Sequence, residues 1–306
     1  MNIFLFSSLF FGSIFFTFIP TLAGNNLPFL GPKPNFEGKE KKKIINKNPL
    51  LKKPYSQLKK EKDAALAKKD LAAAVKYLDA MRINCPQKKQ LEEIAQEDSL
   101  KDILLEMADI YFTLEQWQNA EKAYKEFILL FPGANRCDYA HYRAIQSSIK
   151  QTLTLDRDQT KTQETLSLTQ EFLKTYPNSE LHQAVIECAN ECQQKLFESE
   201  VNVFNFYLKN NNIHAAQTRL ASLNKDFSQT LSQEQPRILE LTIQLAQAKN
   251  DVPLLLTTQL ELGQKFGDHL ITKRLGIDIT TIQTQLALLE KESSLQKADT
   301  NTFTIS

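Results

Sequence analysis

The stretch Ile103–Pro132, which reads ILLEMADIYFTLEQWQNAEKAYKEFILLFP, carries the strongest structural pattern in the sequence. Its apolar residues recur with the period of an α-helix. Ala108 and Ala120 are small at the points where two such helices would cross closely. Pro132 ends the second run, because proline has no backbone N–H to donate. The pattern therefore predicts a pair of packed helices. Its larger members are Leu104, Met107, Tyr111, Trp117, Tyr124 and Phe127.

Weaker copies of this pattern flank it, with the spacing of tetratricopeptide-like repeats. They cover residues 71–86, helices near 138–154 and 160–175, a fourth unit over 203–223, a fifth over 239–262, and a final helix near 278–294. One pair cannot bury its apolar face alone, so the pairs must stack. The predicted fold class is all-α: a superhelical stack of about five tetratricopeptide-like helix pairs with a C-terminal capping helix. Such a superhelix has a concave surface suited to protein or peptide partners.

The composition argues against an enzyme. The 306 residues are 42% hydrophobic and 24% charged, enough for a packed core, but they include only 8 glycines. Doubly wound α/β folds and β-barrels use more glycine, and the sequence has neither a GxGxxG nor a GxxxxGK[ST] phosphate loop. No histidine accompanies a serine or cysteine nucleophile in a recognisable motif. We expect no catalytic residues, no bound metal and no cofactor.

The net charge of +1 hides an uneven distribution along the chain. Residues 1–32 contain no charged side chain, residues 33–62 carry +8, and the remainder carries −7. This division predicts four segments. They are a signal peptide over 1–23, a disordered Lys/Pro-rich tether over 24–54, the helical domain over 55–294 and a disordered tail over 295–306.

The apolar leader predicts export. Pro20 breaks the apolar run, and the small residues before Gly24 suit signal-peptide cleavage, which we favour. The alternative is an uncleaved membrane anchor, since about 20 apolar residues can span a bilayer. None of the four cysteines lies near the leader, so no lipobox cysteine is expected.

The tether combines prolines with many lysines, which favours an extended segment. One interpretation is a spacer that contacts anionic lipid head groups through Lys39 and Lys41–Lys43. The alternative is a solvated linker without a partner. A nucleic-acid partner is not expected, because the chain is exported and the basic run has little aromatic interleaving.

Cys188 and Cys192 are four residues apart on one face of an expected helix. This spacing would permit a metal pair or an intrahelical disulfide. The simpler interpretation, which we favour, is two small residues on a core stripe.

One connection is longer than a helix pair needs. Leu155–Thr160, LDRDQT, would join the helices of the third unit. Helix capping by Asp158 or Thr160, with Gln163 completing a capping box, is one explanation. Capping leaves Asp156 and Arg157 unexplained, so a charged functional loop at the edge of the superhelix is equally supported.

The order of these motifs resembles the BamD-type outer-membrane protein assembly factors. The resemblance covers roughly residues 55–265 and is densest over 156–223. It rests on DRDQT at 156–160, the YPNS turn at 176–179, Glu200, Phe206–Tyr207, and Ala215–Ala216 leading to Arg219. It implies a periplasmic protein of five tetratricopeptide-like pairs that binds the periplasmic domains of a barrel-forming subunit.

The resemblance also implies individual residue roles. Arg219 matches an arginine that faces the partner subunit, whereas Asn210 stands where the family has a second arginine. The alternative for Arg219 is an exposed helix arginine whose stem covers apolar surface. Gly24 stands where the family has its lipid-anchored cysteine. The expected partner-binding residues are Arg219, Asp156, Arg157 and Asp158.

We therefore expect a periplasmic scaffold subunit of the outer-membrane β-barrel assembly machinery, peripheral to the inner face of that membrane. Its partners would be the barrel-forming subunit and accessory assembly proteins. The alternative is another periplasmic tetratricopeptide adaptor, for example one that coordinates envelope growth with division.

Overall fold

The computed structural model describes residues 49–84 and 100–302, with side chains described up to residue 294. Within these ranges the chain forms twelve α-helices and no β-strand. The predicted leader and residues 24–48 of the tether lie outside the described residues. The chain divides into Met1–Lys52, of which the 3-10 turn Pro49–Lys52 is described, and Lys53–Ser306. The helices are α1 Tyr55–Ala67, α2 Leu71–Asn84, α3 Leu100–Thr113, α4 Trp117–Leu130, α5 Cys137–Ile149, α6 Thr160–Thr175, α7 His182–Lys209, α8 Ile213–Phe227, α9 Gln235–Lys249, α10 Val252–Phe266, α11 Leu270–Leu275 and α12 Ile279–Thr302.

Consecutive helices pack as pairs: α1 with α2, α3 with α4, α5 with α6, α7 with α8, and α9 with α10. Each pair also contacts the next one along the chain. This arrangement confirms the predicted all-α stack of tetratricopeptide-like pairs.

Four of the five pairs close through the same tight turn. The turn residues Lys69, Glu115, Asn211 and Asn250 all have φ between 54° and 58°. The next residue donates its N–H to a carbonyl five residues back, as Gln116 does to Tyr111 at 2.9 Å. Glycine is the usual residue at such a helix end, because it has no Cβ to oppose positive φ. The repeats build this turn without glycine.

The second pair, α3 with α4, has the expected close apolar contact. Ala108 and Ala120 are fully buried, as are Tyr124 and Phe127. Tyr111 is different: burial and then the charge of Asp79 in α2 raise its pKa, so its hydroxyl lies towards the preceding pair. The stretch that predicts the fold is thus also one of its best-packed parts.

The third pair, α5 with α6, is packed through hydroxyl groups. Ser147, Ser148, Thr162, Thr165 and Thr169 are all buried. The Ser148 and Thr165 hydroxyls share a hydrogen bond of 2.7 Å, and the Thr165 hydroxyl donates to the Lys161 carbonyl at 2.7 Å. Local carbonyls satisfy hydroxyls inside helices in this way. These buried hydroxyls lie between the same two helices that also pack Ile145 of α5 with Phe172 of α6.

Ion pairs join neighbouring repeats at offsets of about one repeat. Lys62 in α1 reaches Glu106 in α3 at 3.1 Å, and Arg82 in α2 reaches Glu126 in α4 at 3.0 Å. Both offsets are 44 residues. Between the second and third pairs, Lys161 of α6 donates to the buried Glu121 of α4 at 2.9 Å.

Helix α7 is longer than the sequence indicates. It runs unbroken from His182 to Lys209, whereas the sequence predicts a fourth unit that begins near Val203. Its first half buries Val185, Ala189 and Cys192, and Val185 packs with Phe172 of α6. Its second half packs against α8. One helix therefore belongs to both the third and the fourth pair, and no turn interrupts it.

The stack ends with α11 and α12. Gly263 of α10 lies under the start of α12, where an added Cβ would come within 3.0 Å of Ile279 and 3.1 Å of Ile277. A larger residue at 263 would require these two isoleucine side chains to shift by a few tenths of an ångström, and Gly276 supplies the positive φ of 60° that ends α11. Helix α12 continues to Thr302, whereas the sequence predicts a disordered tail from residue 295. The other predicted segment boundaries stay predictions.

Candidate functional site

Two side chains of α7 hold the connection between α5 and α6 in place. Lys195 of α7 donates to the Thr152 hydroxyl at 2.7 Å, and the Ser199 hydroxyl of α7 donates to the Leu155 carbonyl at 2.9 Å. Within the loop, the Gln159 amide donates to the carbonyls of Thr154 at 2.8 Å and Arg157 at 2.9 Å. The backbone of this long loop is thus fixed by side chains.

Asp158 serves the start of α6. Its Oδ1 accepts from the Thr160 N–H at 3.2 Å and from the Thr160 hydroxyl at 2.8 Å. Capping by Asp158 therefore occurs as the sequence predicts. Thr160 itself does not cap the helix, because its hydroxyl donates to Asp158, and the Gln163 N–H donates to the Gln159 carbonyl at 3.0 Å.

Asp156 and Arg157 remain at the exposed tip of the loop. Their side chains are 75% and 72% exposed and approach each other only to 3.8 Å. A hydrogen bond from the Thr154 side chain is the main cause that lowers the pKa of Asp156. Asp156 therefore stays ionised at neutral pH. The local fold explains the loop's backbone and Asp158 but does not explain these two charges.

Arg219 lies in α8 beside an open surface depression of about 450 Å³. Its Nη1 donates to Glu200 of α7 at 3.3 Å, and its side chain is 43% exposed. The other residues that line the depression are Tyr207, His214, Ala215, Thr218 and Ser222. Imidazole, phenol, hydroxyl and guanidinium groups thus border one open surface that can take a polar side chain of a partner.

Asn210, at the position where the resemblance implies a second arginine, is neutral and does not line the depression. Its side-chain amide donates to the Phe206 carbonyl at 2.7 Å, so it caps the end of its own helix. Phe206 beside it is 62% exposed and stacks edge-on against Tyr207 at 5.5 Å between ring centroids. Phe206 is thus an exposed aromatic side chain in contact with Tyr207, which lines the depression, and the sequence does not identify it as exposed.

The two predicted site segments meet on α7. Ser199 binds the loop through Leu155, and its neighbour Glu200 binds Arg219. The structure thus brings the Asp156–Asp158 loop and Arg219 to adjacent positions of one helix, although 61 residues separate Asp158 from Arg219 in the sequence. Sequence reasoning missed Lys195 and Ser199, because a lysine and a serine on a helix carry no distinctive signal.

The cysteines are packing residues in the part of the chain that the structure describes. Cys192 is buried, which raises its pKa to about 12, and Cys188 packs against the cluster of Ile145, Phe172 and Val185. Both thiols are free. Across residues 49–84 and 100–302 no three His, Cys, Asp or Glu side chains are grouped to hold a metal ion.

Comparison with known proteins gives one family. The family model described as "YfiO: Outer membrane lipoprotein" matches residues 52–250. No curated protein matches the chain. A crystal structure from Bacteroides ovatus ATCC 8483, provisionally described as a protein binding protein, is 12% identical and covers 76% of this chain and 100% of its own, with a TM-score of 0.24. That score is too low to support an argument. None of the described helices has the length and apolar character needed to cross a membrane.

Proposed function

The chain belongs to the family of outer membrane lipoproteins called YfiO, and from this premise we propose that it is a periplasmic scaffold subunit of the machinery that assembles β-barrel proteins in the outer membrane. The scaffold acts by binding, with no chemical step. It lies at the inner face of the outer membrane, and its partners are the barrel-forming subunit and accessory assembly proteins.

The meeting of two exposed segments on α7 carries this proposal. A fixed loop exposes Asp156 and Arg157, and a depression lined by Arg219 and Tyr207 opens on α7 and α8. Arginine and aromatic side chains are enriched where protein interfaces have their strongest contacts. Rigid presentation lowers the entropy lost on binding. These features favour a docking surface for a folded partner.

Arg219 has the chemistry to pair with a partner carboxylate. Its present partner Glu200 is reached by one nitrogen at 3.3 Å, which is a long contact for a charge-assisted bond. A carboxylate that approached through the depression could bind the guanidinium more favourably. Exposed ion pairs contribute little to folding stability, so the Arg219–Glu200 pair can rearrange at low cost.

Depletion of the protein tests the assembly role. We expect lower amounts of folded barrel proteins in the outer membrane, measured by heat-modifiable mobility, with unchanged inner-membrane proteins as the control. Normal barrel levels after complete depletion would contradict the proposal.

Photo-cross-linking tests the surface. A photo-reactive residue at Thr218, which lines the depression, should capture the barrel-forming subunit. The same residue at the exposed Gln217 of α8, which does not line it, is the matched control. Arg219→Glu should lower the yield at position 218 at least fivefold. Capture of only envelope-growth or division proteins would instead favour the adaptor alternative.

A further inference from the structure

The first helix pair has a charge opposite to that of the rest of the helical stack. Residues 53–84 contain seven lysines and one arginine against four acidic residues, a net +4. Residues 100–302 contain 20 basic and 26 acidic residues, a net −6. The pair therefore forms a basic end of an otherwise acidic body.

Every acidic residue of this pair is already engaged within the fold. Glu61 accepts from Lys53 at 2.6 Å, Asp63 pairs with Lys62 at 3.2 Å, and Asp79 pairs with Arg82 at 3.1 Å. Asp70 accepts the Ala73 N–H at 3.0 Å and so serves the start of α2. Three of the four carboxylates are thus paired with cations of the same segment, and the fourth binds a backbone N–H.

Four lysines of the pair remain exposed. They are Lys60 in α1, Lys68 and Lys69 in the turn, and Lys76 in α2. None of their ammonium groups has an ion-pair partner among the described residues. These four lysines lie on both helices and on the turn between them, and we call them together the lysine surface. Among the described residues no carboxylate forms an ion pair with them, in contrast to Lys53, Lys62 and Arg82.

The lysine surface lacks the apolar component that a protein partner needs. Among the described residues, every large hydrophobic side chain that is strongly exposed lies at Leu129 or later. Protein interfaces have an apolar core in which charged residues, lysine above all, are depleted. A purely cationic surface matches a different partner, one with dense and repeated negative charge.

We propose that the lysine surface docks the first helix pair on an anionic lipid bilayer. In the sequence this pair directly follows the lysine-rich residues 33–52, which carry charge of the same sign. Each lysine near an anionic membrane surface strengthens binding by about fivefold. The inference is independent of the barrel-assembly proposal, because it involves neither Arg219 nor the Asp156–Asp158 loop.

Vesicle co-sedimentation of the full chain tests the inference. Vesicles of phosphatidylcholine with 30% phosphatidylglycerol by composition should bind the protein at about 0.05 M salt, and pure phosphatidylcholine vesicles should not. Raising the salt to about 0.5 M should release it, since exposed charges are screened over a few ångströms at that concentration. Equal binding to both vesicle types would overturn the inference.

The decisive variant carries Lys60→Gln, Lys68→Gln, Lys69→Gln and Lys76→Gln. We expect it to bind anionic vesicles at least tenfold more weakly. The matched control carries Lys122→Gln, Lys174→Gln, Lys209→Gln and Lys225→Gln, which removes the same charge from other exposed positions and should bind as the unmodified chain does. If both variants lose affinity equally, only the overall charge matters and the inference fails.

A third variant separates the tether from the folded surface. Lys39→Gln, Lys41→Gln, Lys42→Gln and Lys43→Gln removes tether charge and leaves the lysine surface intact. Residual salt-sensitive binding by this variant supports the inference, and full loss of binding would assign the membrane contact to the tether alone. The single variants Lys60→Gln and Lys76→Gln, each expected to bind about fivefold more weakly, give a reading that does not depend on the fourfold variant.

Discussion

The second and third helix pairs each pack two consecutive helices together, but with different side chains between them. In the second pair, α3 meets α4 through Ala108 and Ala120, and a tight turn with Glu115 at a φ of 56° joins them. In the third pair, α5 meets α6 through buried serine and threonine hydroxyls, and residues 150–159 join them. The third pair keeps an apolar contact between Ile145 of α5 and Phe172 of α6, but it has a long loop with an exposed tip in place of a short turn.

The two pairs therefore differ in the exposed residues that their connections offer to a partner. In the third pair, Lys195, Ser199 and Gln159 fix the loop, and Asp156 and Arg157 are exposed at its tip. Loops positioned by a rigid scaffold commonly carry binding residues. The two pairs should therefore respond differently to substitution.

The largest effect is expected in the core of the second pair. Phe127→Ala removes a fully buried ring and should lower the free energy of unfolding by about 4 kcal/mol. Urea denaturation followed by circular dichroism measures the change. The half-buried Phe131→Ala is the control and should cost clearly less. Equal losses at both positions would mean that α4 does not pack as described.

The second-largest loss of stability is expected at the ion pairs of Glu121, one of which joins the second pair to the third. Burial opposes ionisation of Glu121, but hydrogen bonds from Lys125 and Lys161 outweigh it and hold its pKa below the usual value. Glu121→Gln should cost about 2 kcal/mol, because it removes the charge of the buried carboxylate that accepts hydrogen bonds from Lys125 and Lys161. Urea denaturation at neutral pH measures this change in the free energy of unfolding.

The same residue predicts a pH dependence. A carboxylate whose pKa is lowered by folding stabilises the folded state above its unfolded pKa, and this contribution disappears as the pH falls through the folded value. The difference in stability between the unmodified chain and Glu121→Gln should therefore shrink in acid. A difference that grows as the pH falls would contradict the assigned ion pairs.

Loss of the hydroxyl contact in the third pair should lower the free energy of unfolding by a smaller amount, and a second substitution should restore it. Thr165→Val leaves the Ser148 hydroxyl without its 2.7 Å partner and should cost about 1 kcal/mol. Adding Ser148→Ala removes both polar groups and should restore most of the loss. A double variant less stable than the single one would show that the hydroxyls do more than satisfy each other.

The turn of the second pair should yield the smallest change, and it should be stabilising. Glu115→Gly relieves a positive φ and should raise the free energy of unfolding by about 1 kcal/mol. Asp156→Gly is the matched control in the third pair, where the loop has no residue of positive φ, and should give no gain. A gain at both positions would remove the distinction between the two connections.

Much of the fold follows from the sequence, because helical periodicity and small residues at crossing points are local signals. Ala108, Ala120, Tyr124 and Phe127 identify the second pair without any structure. The length of α7 could not be predicted in the same way. Its first half serves the third pair and its second half the fourth, so two weaker apolar patterns overlap in one helix.

The candidate site is less accessible to sequence analysis. The sequence identifies Arg219 and the Asp156–Asp158 loop separately, the first through the family resemblance and the second through its excess length. Only the structure shows that adjacent residues of α7, Ser199 and Glu200, bind them both. Whether two such distant segments both contact one helix depends on how the repeats stack, which local patterns do not encode.

The central claim is that the charges at the tip of the third-pair loop serve a partner and not the fold. The double variant Asp156→Ala/Arg157→Ala tests it, measured as photo-cross-linking from Thr218 to the barrel-forming subunit at equal protein level. Because both side chains are largely exposed, the free energy of unfolding should change by less than about 0.5 kcal/mol. We predict that the cross-link yield falls severalfold while stability is unchanged. An unchanged yield, or a loss of yield that only follows a loss of stability, would contradict the claim.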